Sequence, residues 1–146
     1  MAASEVGGFE THGTGTALGD PVEVGAVRAV HGTSDGWRIP MLLGALKTNL
    51  AHALAPSGLL GLAKCAAMHG QLGAMWHLCI SSEVDQVGAR PVCFPPSIHI
   101  RRLNKHFEVK GFAGQLPTEH VALPHKPAAG ISSFGFGGTN AHVLVV

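Results

Sequence analysis

The sequence is poor in charge and lacks the usual nucleotide-binding motifs. Only 13% of its 146 residues are charged, the formal net charge is +1, and no run of Lys and Arg is longer than Arg101-Arg102. Because proteins that bind nucleic acid present a basic patch, we expect no nucleic-acid partner. The patterns G-x-x-x-x-G-K-S/T and G-x-G-x-x-G are also missing, which excludes two common phosphate-binding loops.

Cysteine is scarce as well. The chain has three cysteines, an odd number, and no two of them form a C-x-x-C pair; they are Cys65, Cys79 and Cys93. The sequence therefore predicts neither a disulfide framework nor a zinc site, and we expect no bound metal. Buried or incidental thiols in a reducing compartment are the simpler interpretation.

Targeting and membrane segments are not predicted either. Residues 1–10 have neither a basic start nor an apolar run, which argues against a signal peptide. The most apolar stretch, residues 41–68, is interrupted by polar residues and a proline, which argues against a membrane span. We therefore expect an intracellular protein, in the cytoplasm or in another reducing compartment.

The apolar content is high for an independent domain. Hydrophobic residues make up 46% of the chain, whereas charged residues usually approach about a quarter of a free-standing domain. We expect the apolar excess to face a partner or the remainder of a larger domain. Val6 and Phe9 fit the end of a strand whose beginning is barely present, which also predicts a truncated domain.

The first clear element is a helix, predicted over residues 21–31. Asp20 is the expected N-cap, Pro21 the first helical residue, and Glu23 the returning partner of a capping box. The valines expected on the buried face of this helix are Val24, Val27 and Val30.

A strand and a second helix come next. Residues Ile39 to Leu46 form a continuous apolar run, which is typical of a strand covered on both faces. A leucine- and alanine-rich helix then extends to about His69, and its many small residues predict a position in the centre of the fold.

The end of the chain predicts a hairpin. Residues 129–133 and 141–146 resemble two strands joined by a glycine-rich turn, and shorter extended pieces are predicted at 98–100 and 121–123. The elements together predict an α/β fold, a layered sheet with a buried helix and a closing glycine-turn hairpin.

Three side chains stand out chemically. His12 lies in a Gly/Thr loop before a helix, a setting that exposes a side chain and favours an anion, although a loop histidine with an ordinary hydrogen bond fits equally well. Lys47 and His52 lie between the buried strand and the buried helix, where a charge is costly without a partner. Either Lys47 belongs to a structural ion pair and His52 is a core histidine, or the two residues belong to a functional site.

Three segments resemble the β-ketoacyl synthase family. Residues 10–23 read E-T-H-G-T-G-T-x-x-G-D-P-x-E, residues 47–52 read K-T-N-x-x-H, and residues 133–142 read S-F-G-F-G-G-T-N-A-H. The resemblance is to ketosynthase domains of modular polyketide synthases and type I fatty-acid synthases. It covers residues 1–146 but only the C-terminal half of the family's thiolase-like fold.

The resemblance implies a decarboxylative Claisen condensation of a malonyl thioester with an acyl thioester, in fatty-acid or polyketide biosynthesis. His12 and His52 match the two histidines that promote decarboxylation, and Lys47 matches the lysine that sets the charge of the site. Thr14 and Thr16 match hydroxyls that bind phosphopantetheine.

Other matched residues line or shape the site. The N–H of Phe136 matches an oxyanion-hole donor and its ring the gate of the acyl pocket. Residues of the motifs expected to be structural are Asp20, Glu23, Asn49, Phe134, Gly135, Gly137, Gly138 and Asn140. No cofactor is expected to bind directly, since the substrates travel on an acyl carrier protein.

The resemblance is incomplete in two places. None of the three cysteines lies in the family's nucleophile motif, so this chain alone is expected to be inactive and to need an N-terminal half that carries the cysteine, with a homodimer expected for the complete protein. Residues of about 72–93 are an apparent insertion, and Ala51 replaces the usual glycine near His52.

Two other classes of function remain open from the sequence. A non-catalytic ketosynthase remnant or interaction module would keep the fold without turnover. A metal hydrolase would use His12, His52 and His142, but no H-x-x-x-H pair or ligating carboxylate accompanies them.

Overall fold

The computed structural model describes residue 2 and residues 5–31, 40–69, 92–108, 110–123 and 128–146. Helices in these ranges are α1 (Gly19–His31), α2 (Lys47–Leu50) and α3 (Ser57–Met68). The strands are β1 (Val6–Glu10), β2 (Met41–Gly44), β3 (Val92–Phe94), β4 (Gly114–Gln115), β5 (Val121–Leu123), β6 (Ala128–Phe134) and β7 (Asn140–Val145).

Five strands form the main sheet in the order β4-β2-β1-β6-β7. β1 pairs in parallel with β2 and with β6, β2 pairs in parallel with β4, and β7 closes the sheet antiparallel to β6. β3 and β5 form a separate antiparallel pair. Because β1, β2 and β6 run in the same direction, their carboxyl ends lie at one edge of the sheet, where ligands bind in open α/β sheets.

Both faces of the main sheet are covered at β2. Met41 and Leu43 pack in a cluster with residues of α1, whereas Leu42 between them packs with Met68 of α3 and Phe94. This alternation follows from the twofold period of a strand. The apolar run of β2 therefore does form a strand buried on both faces, as predicted.

Helix α1 differs from the prediction at its start and on one face. It begins at Gly19 rather than at residue 21, because the Thr16 hydroxyl accepts the Gly19 N–H and holds the turn before the helix. Asp20 is no N-cap, since its carboxylate accepts the N–H of Gly15 outside the helix. The buried face is also narrower than predicted, because Val30 is 71% exposed.

Helix α3 confirms the helical prediction. The helix was expected in the centre of the fold, but it is buried on one side only. Its buried residues pack against the sheet and are Gly61, Lys64, Cys65 and Met68. On the opposite side Leu59 is 70% exposed and Leu62 is 37% exposed. One flank of the helix therefore lacks a cover in the described part of the chain.

Several shorter elements correct the sequence interpretation. β1 spans five residues and lies in the middle of the sheet, so more of this strand is present than the sequence predicted. Residues Ile98 to Ile100 turn rather than extend, and the Ile100 N–H donates to the Ser97 carbonyl. β3 and β4 are absent from the prediction, whereas the strand at 121–123 and the closing hairpin are confirmed.

The apparent insertion at 72–93 lies outside the described residues except for its last two, which belong to β3. It stays a prediction. Cys65 and Cys93 are both buried, as expected, and Cys79 lies outside the described residues. No helix of the described residues has the length and apolar character needed to cross a membrane.

Candidate active site

Three segments meet at the carboxyl edge of the main sheet. The His12 loop follows β1, Lys47 begins α2 shortly after β2, and the glycine turn of the hairpin follows β6. Their strands are neighbours in the sheet, so residues far apart in sequence come together without any local motif. The position of the site follows from the strand order.

Backbone hydrogen bonds fix the His12 loop. The N–H groups of His12 and Gly13 donate to the two carboxylate oxygens of Glu23, at 2.7 and 3.0 Å. Glu23 therefore caps the loop that precedes the helix and does not return to the residue at the helix start, which corrects the predicted capping box. On the other side of the loop, the N–H and hydroxyl of Thr11 both donate to the Gly44 carbonyl at 2.8 Å.

Gly13 needs to be glycine in this loop. Its φ is 48°, in the left-handed region. A Cβ on this residue would also lie 2.7 Å from the Thr11 hydroxyl and 2.9 Å from Ala45. The loop can follow its course around His12 only because no side chain is present here.

The His12 ring contacts two other rings. Its centroid lies 5.8 Å from that of His52, edge-on at 86°, and 5.5 Å from that of Phe134. The Phe134 N–H donates to Nδ1 of His12 at 3.4 Å. With Nδ1 as the acceptor, a neutral His12 carries its proton on Nε2.

His52 is held in the same tautomer. The Leu54 N–H donates to its Nδ1 at 3.1 Å, which leaves Nε2–H as the donor. Ala51 and Leu54 on either side have φ of 62° and 59°, so an exposed segment with a left-handed backbone carries this histidine. Each imidazole thus offers an Nε2–H that has no hydrogen-bond partner among the described residues, and the two rings are in contact.

Lys47 sets the charge next to the histidines. Burial is the largest cause of its lowered pKa, and the carboxylates of Glu10, Glu23 and Asp20 act in the opposite direction. The pKa of His12 is lowered as well, mainly by burial, then by the positive charge of Lys47 and then by the neighbouring His52. His12 is therefore held in its neutral form.

The two threonines have different surroundings. Thr14 is partly buried and Thr16 is exposed, and the Thr16 hydroxyl already accepts the Gly19 N–H at 3.0 Å. Asn104 donates from Nδ2 to the carbonyls of Thr16 and Ala17 at 3.1 and 3.3 Å. Sequence reasoning missed Asn104, because it lies in a polar stretch without a recognisable pattern.

Asn49 ties α2 to the segment after β3. Its Nδ2 donates to the Pro96 carbonyl at 3.0 Å, and its Oδ1 accepts the Ile98 N–H at 3.1 Å. The Thr48 hydroxyl donates to the same oxygen at 2.9 Å. All these bonds hold the short helix that begins with Lys47.

The glycine turn is closed by its own backbone. The Gly135 N–H donates to the Thr139 carbonyl at 2.7 Å, and the Gly138 N–H donates to the Gly135 carbonyl at 2.9 Å. Gly138 has a φ of 89°. Gly137 has open space where a Cβ would be, and Asn140 pairs with Phe134 in the ladder.

Phe136 lies at the tip of this turn. Its ring is fully exposed and makes no ring contact with His12 or His52 among the described residues. Its N–H has no hydrogen-bond partner in the same part of the chain, so the group is available as a donor. The two roles assigned to Phe136 stay predictions.

His142 lies apart from the histidine pair. It stacks on Phe9 with centroids 5.2 Å apart, and its Nδ1 lies 3.1 Å from the Ser132 hydroxyl. No group of three or more His, Cys, Asp or Glu is arranged for a metal in the ranges that the structure describes. The three-histidine hydrolase alternative therefore lacks its third ligand in the described geometry.

A buried ion pair under the site escaped the sequence analysis. Lys64 Nζ lies 2.5 Å from a carboxylate oxygen of Glu10, with side chains 7% and 3% exposed. In the sequence, Glu10 was noted only as part of the motif at residues 10–23. Lys64 was only one of the polar residues that interrupt the apolar stretch 41–68. Nothing in a sequence pairs residues 54 positions apart.

A cleft of about 810 Å³ opens beside the His12 loop. Gly13, Gly15 and Lys47 form one side, and the segment 99–107 forms the other. Neither His12 nor His52 lines this cleft. The cleft and the pair of His12 and His52 therefore meet at Lys47 and at the backbone of the His12 loop.

Comparison with known proteins agrees with the motifs. The family described as "Beta-ketoacyl synthase, C-terminal domain" matches residues 1–77. The chain is 38% identical to a phenolphthiocerol/phthiocerol polyketide synthase of Mycobacterium tuberculosis and 38% identical to erythronolide synthase EryA2 of Saccharopolyspora erythraea. Each match covers 99% of this chain but only 7% and 4% of the relative.

Solved structures give the same fold. The oxazolomycin ketosynthase domain OzmH KS7 of Streptomyces albus matches with a TM-score of 0.73 and 28% identity, over 99% of this chain and 22% of that one. Ketosynthase twelve of the bacillaene polyketide synthase from Bacillus amyloliquefaciens matches with the same TM-score, over 99% of this chain and 23% of that one. The α/β architecture is thus the thiolase-like fold of ketosynthases, and the chain belongs to the β-ketoacyl synthase family as a C-terminal ketosynthase fragment of the polyketide synthase type.

Proposed function

We propose that this chain supplies the histidine pair and the lysine for decarboxylation and condensation in a polyketide-type ketosynthase. The observation that carries the proposal is the distance of 5.8 Å between the ring centroids of His12 and His52. Two imidazoles this close, each accepting a backbone N–H at Nδ1 and carrying a proton on Nε2, can donate to one thioester carbonyl oxygen.

The reaction needs such donors at one point. When a malonyl thioester loses carbon dioxide, the electron pair of the broken C–C bond passes into the thioester and places negative charge on its oxygen. Donors aimed at that oxygen stabilise the enolate, and a single donor of this kind contributes about 3–4 kcal/mol in enzymes. The enolate carbon then attacks an acyl thioester and displaces the thiolate of the cysteine that carried it.

The remaining site residues have supporting roles in this proposal. Burial is the main cause that keeps His12 neutral, and Lys47 adds to it, because a positive charge nearby disfavours imidazolium. Thr14 and Thr16 bind the phosphopantetheine arm, and the free N–H of Phe136 completes an oxyanion hole for the acyl thioester. The 810 Å³ cleft beside Lys47 gives the arm room to approach.

The attacking cysteine must come from elsewhere. The chain spans 7% or less of the curated relatives named above, and Cys65 is buried with a pKa raised to about 12. The exposed leucines of α3, Leu59 and Leu62, fit a contact with an N-terminal half that brings the nucleophile. An acyl carrier protein delivers both substrates.

Malonyl-carrier decarboxylation tests the proposal. Release of carbon dioxide is measured with this chain alone and after addition of the N-terminal half of a related ketosynthase. We expect turnover only with both parts, and a loss on the order of 100-fold in His12→Ala and in His52→Ala. His120→Ala, an exposed histidine near β5, is the matched control and keeps full activity. No turnover in the combined sample would identify a non-catalytic remnant.

A further inference from the structure

We propose that Glu10 and Lys64 are positioning residues of the site, and that their buried ion pair sets the spacing between the His12 loop and Lys47. The inference rests on the proposed function for its catalytic consequence, but its geometry stands on contacts of this chain alone. Neither residue contacts the place where the histidines would meet a substrate, so both act through other residues.

Glu10 joins the ends of two strands. It is the last residue of β1, two positions before His12, and one of its oxygens accepts the Leu46 N–H at 2.5 Å, one position before Lys47. Its other oxygen accepts from Lys64 of α3. One carboxylate thus ties the loop of the first histidine, the turn of the lysine and the central helix.

The surroundings leave this pair little freedom. A Cβ on Gly44 would lie 2.7 Å from Lys64 Nζ and 2.9 Å from the Glu10 carboxylate, so the strand end has room for the pair only as glycine. Lys64 Nζ also lies 5.2 Å from the centre of the Phe94 ring. Packing on these sides holds both charges where they are.

A buried ion pair is a costly way to stabilise a core. Replacing both partners by apolar side chains of similar volume is often neutral or stabilising, whereas removing one partner leaves an uncompensated buried charge. A role in stability alone would therefore be met by two apolar residues. A role in positioning requires the acceptor for Leu46 and the negative charge beneath Lys47.

Two double variants separate these requirements. Glu10→Gln with Lys64→Met removes both charges but keeps an oxygen for the Leu46 N–H. Glu10→Met with Lys64→Met removes the acceptor as well. Both avoid a stranded charge, so both are expected to fold, which thermal unfolding checks.

The readout is the geometry and titration of the site in the isolated chain. Nuclear magnetic resonance follows the contact between the His12 and His52 rings and the titration of Lys47, whose titratable neighbours are Glu10, Glu23, Asp20 and His12. We expect the Glu10→Gln/Lys64→Met variant to keep the ring contact and to titrate Lys47 at lower pH, because Glu10 raises the pKa of Lys47 whereas Lys64 is not among the groups that shift it. The Glu10→Met/Lys64→Met variant is expected to show the same shift and to lose the ring contact.

The matched control is the exposed ion pair of Arg28 and Glu108, 3.3 Å apart. Arg28→Met with Glu108→Gln is expected to change neither the ring contact nor Lys47. If both Glu10/Lys64 double variants keep the wild-type contact and titration, the pair is merely structural and the inference is wrong.

Activity provides a second, separate readout. In the reconstituted decarboxylation, the Glu10→Met/Lys64→Met variant is expected to lower kcat on the order of 100-fold with little change in KM, as for a misplaced catalytic group. If the reconstituted wild-type protein is inactive, the proposed function fails. The resonance experiment still decides whether Glu10 and Lys64 position His12 and Lys47.

Discussion

The Phe134 backbone N–H donates to Nδ1 of His12 at 3.4 Å, across 122 positions of sequence. The closing hairpin therefore selects the tautomer of the first histidine, while Leu54 does the same for His52 from the next residue but one. Both imidazoles point their remaining N–H groups away from these backbone donors. The fold itself therefore fixes the tautomers of His12 and His52 before any substrate binds.

The first prediction concerns the titration of His12. Burial, Lys47 and His52 lower its pKa below the ordinary value of 6.5, so the imidazole resonance is expected to titrate below pH 6.5. Because the folded chain then binds fewer protons than the unfolded chain, the stabilisation is complete above pH 6.5 and is lost as the pH falls through the folded pKa.

Replacing Lys47 checks the cause. Lys47→Met removes a positive charge and is expected to move the His12 titration to higher pH, followed by nuclear magnetic resonance. Lys105→Met, an exposed lysine of the segment 99–107, is the control and leaves the titration unchanged. An unchanged His12 titration in Lys47→Met would contradict the assigned electrostatics.

The second prediction concerns the carboxylate behind the loop. Glu23→Ala leaves the N–H groups of His12 and Gly13 without their acceptors, and the expected loss in the free energy of unfolding is about 2 kcal/mol. Glu23→Gln keeps one carbonyl oxygen and is expected to lose about half as much. Urea unfolding measures both, with exposed Glu119→Ala as the control. Equal losses in the two variants would exclude the two-bond role.

The third prediction is a stabilising substitution. Ala51 has φ 62° and ψ −176°, a combination that is accessible essentially only to glycine. Ala51→Gly is therefore expected to raise the free energy of unfolding by about 1 kcal/mol, as relief of strain exceeds the added freedom of the unfolded chain. Ala53→Gly, where no positive φ occurs, is expected to destabilise. A loss of stability in Ala51→Gly would refute the strain.

The fourth prediction is an inert thiol. Cys65 is 1% exposed, and burial raises its pKa to about 12, with Glu10 adding to the effect. Iodoacetamide at pH 8 is expected to leave Cys65 unmodified in the folded chain and to alkylate it in urea, with the sites read by mass spectrometry. Alkylation of Cys65 in the folded chain at the rate seen in urea would contradict its burial.

Elements with a strong local signal were predictable. The apolar run of β2 and the glycine turn between β6 and β7 are properties of short segments, and they fold as expected. The positions of His12, Lys47 and His52 were assigned by resemblance. Their closeness required the order of the strands, which no local pattern contains.

The failures have a common physical reason. Asp20 and Glu23 have the spacing of a capping pair, but their carboxylates serve Gly15, His12 and Gly13 of the preceding loop instead. A side chain near a helix start can satisfy any N–H within reach, and the tertiary course of the loop decides which one. Pairs such as Glu10 with Lys64 lie beyond sequence reasoning for the same reason.

The parallel arrangement of β1, β2 and β6 has an evolutionary consequence. Their carboxyl ends stay at one edge however many residues connect one strand to the next, so connecting segments can lengthen or shorten among relatives without moving the His12 loop, Lys47 and the glycine turn apart. We expect change to be restricted at the strand ends and in the few residues after them. Comparison of such proteins is therefore more informative at those positions than over the full alignment.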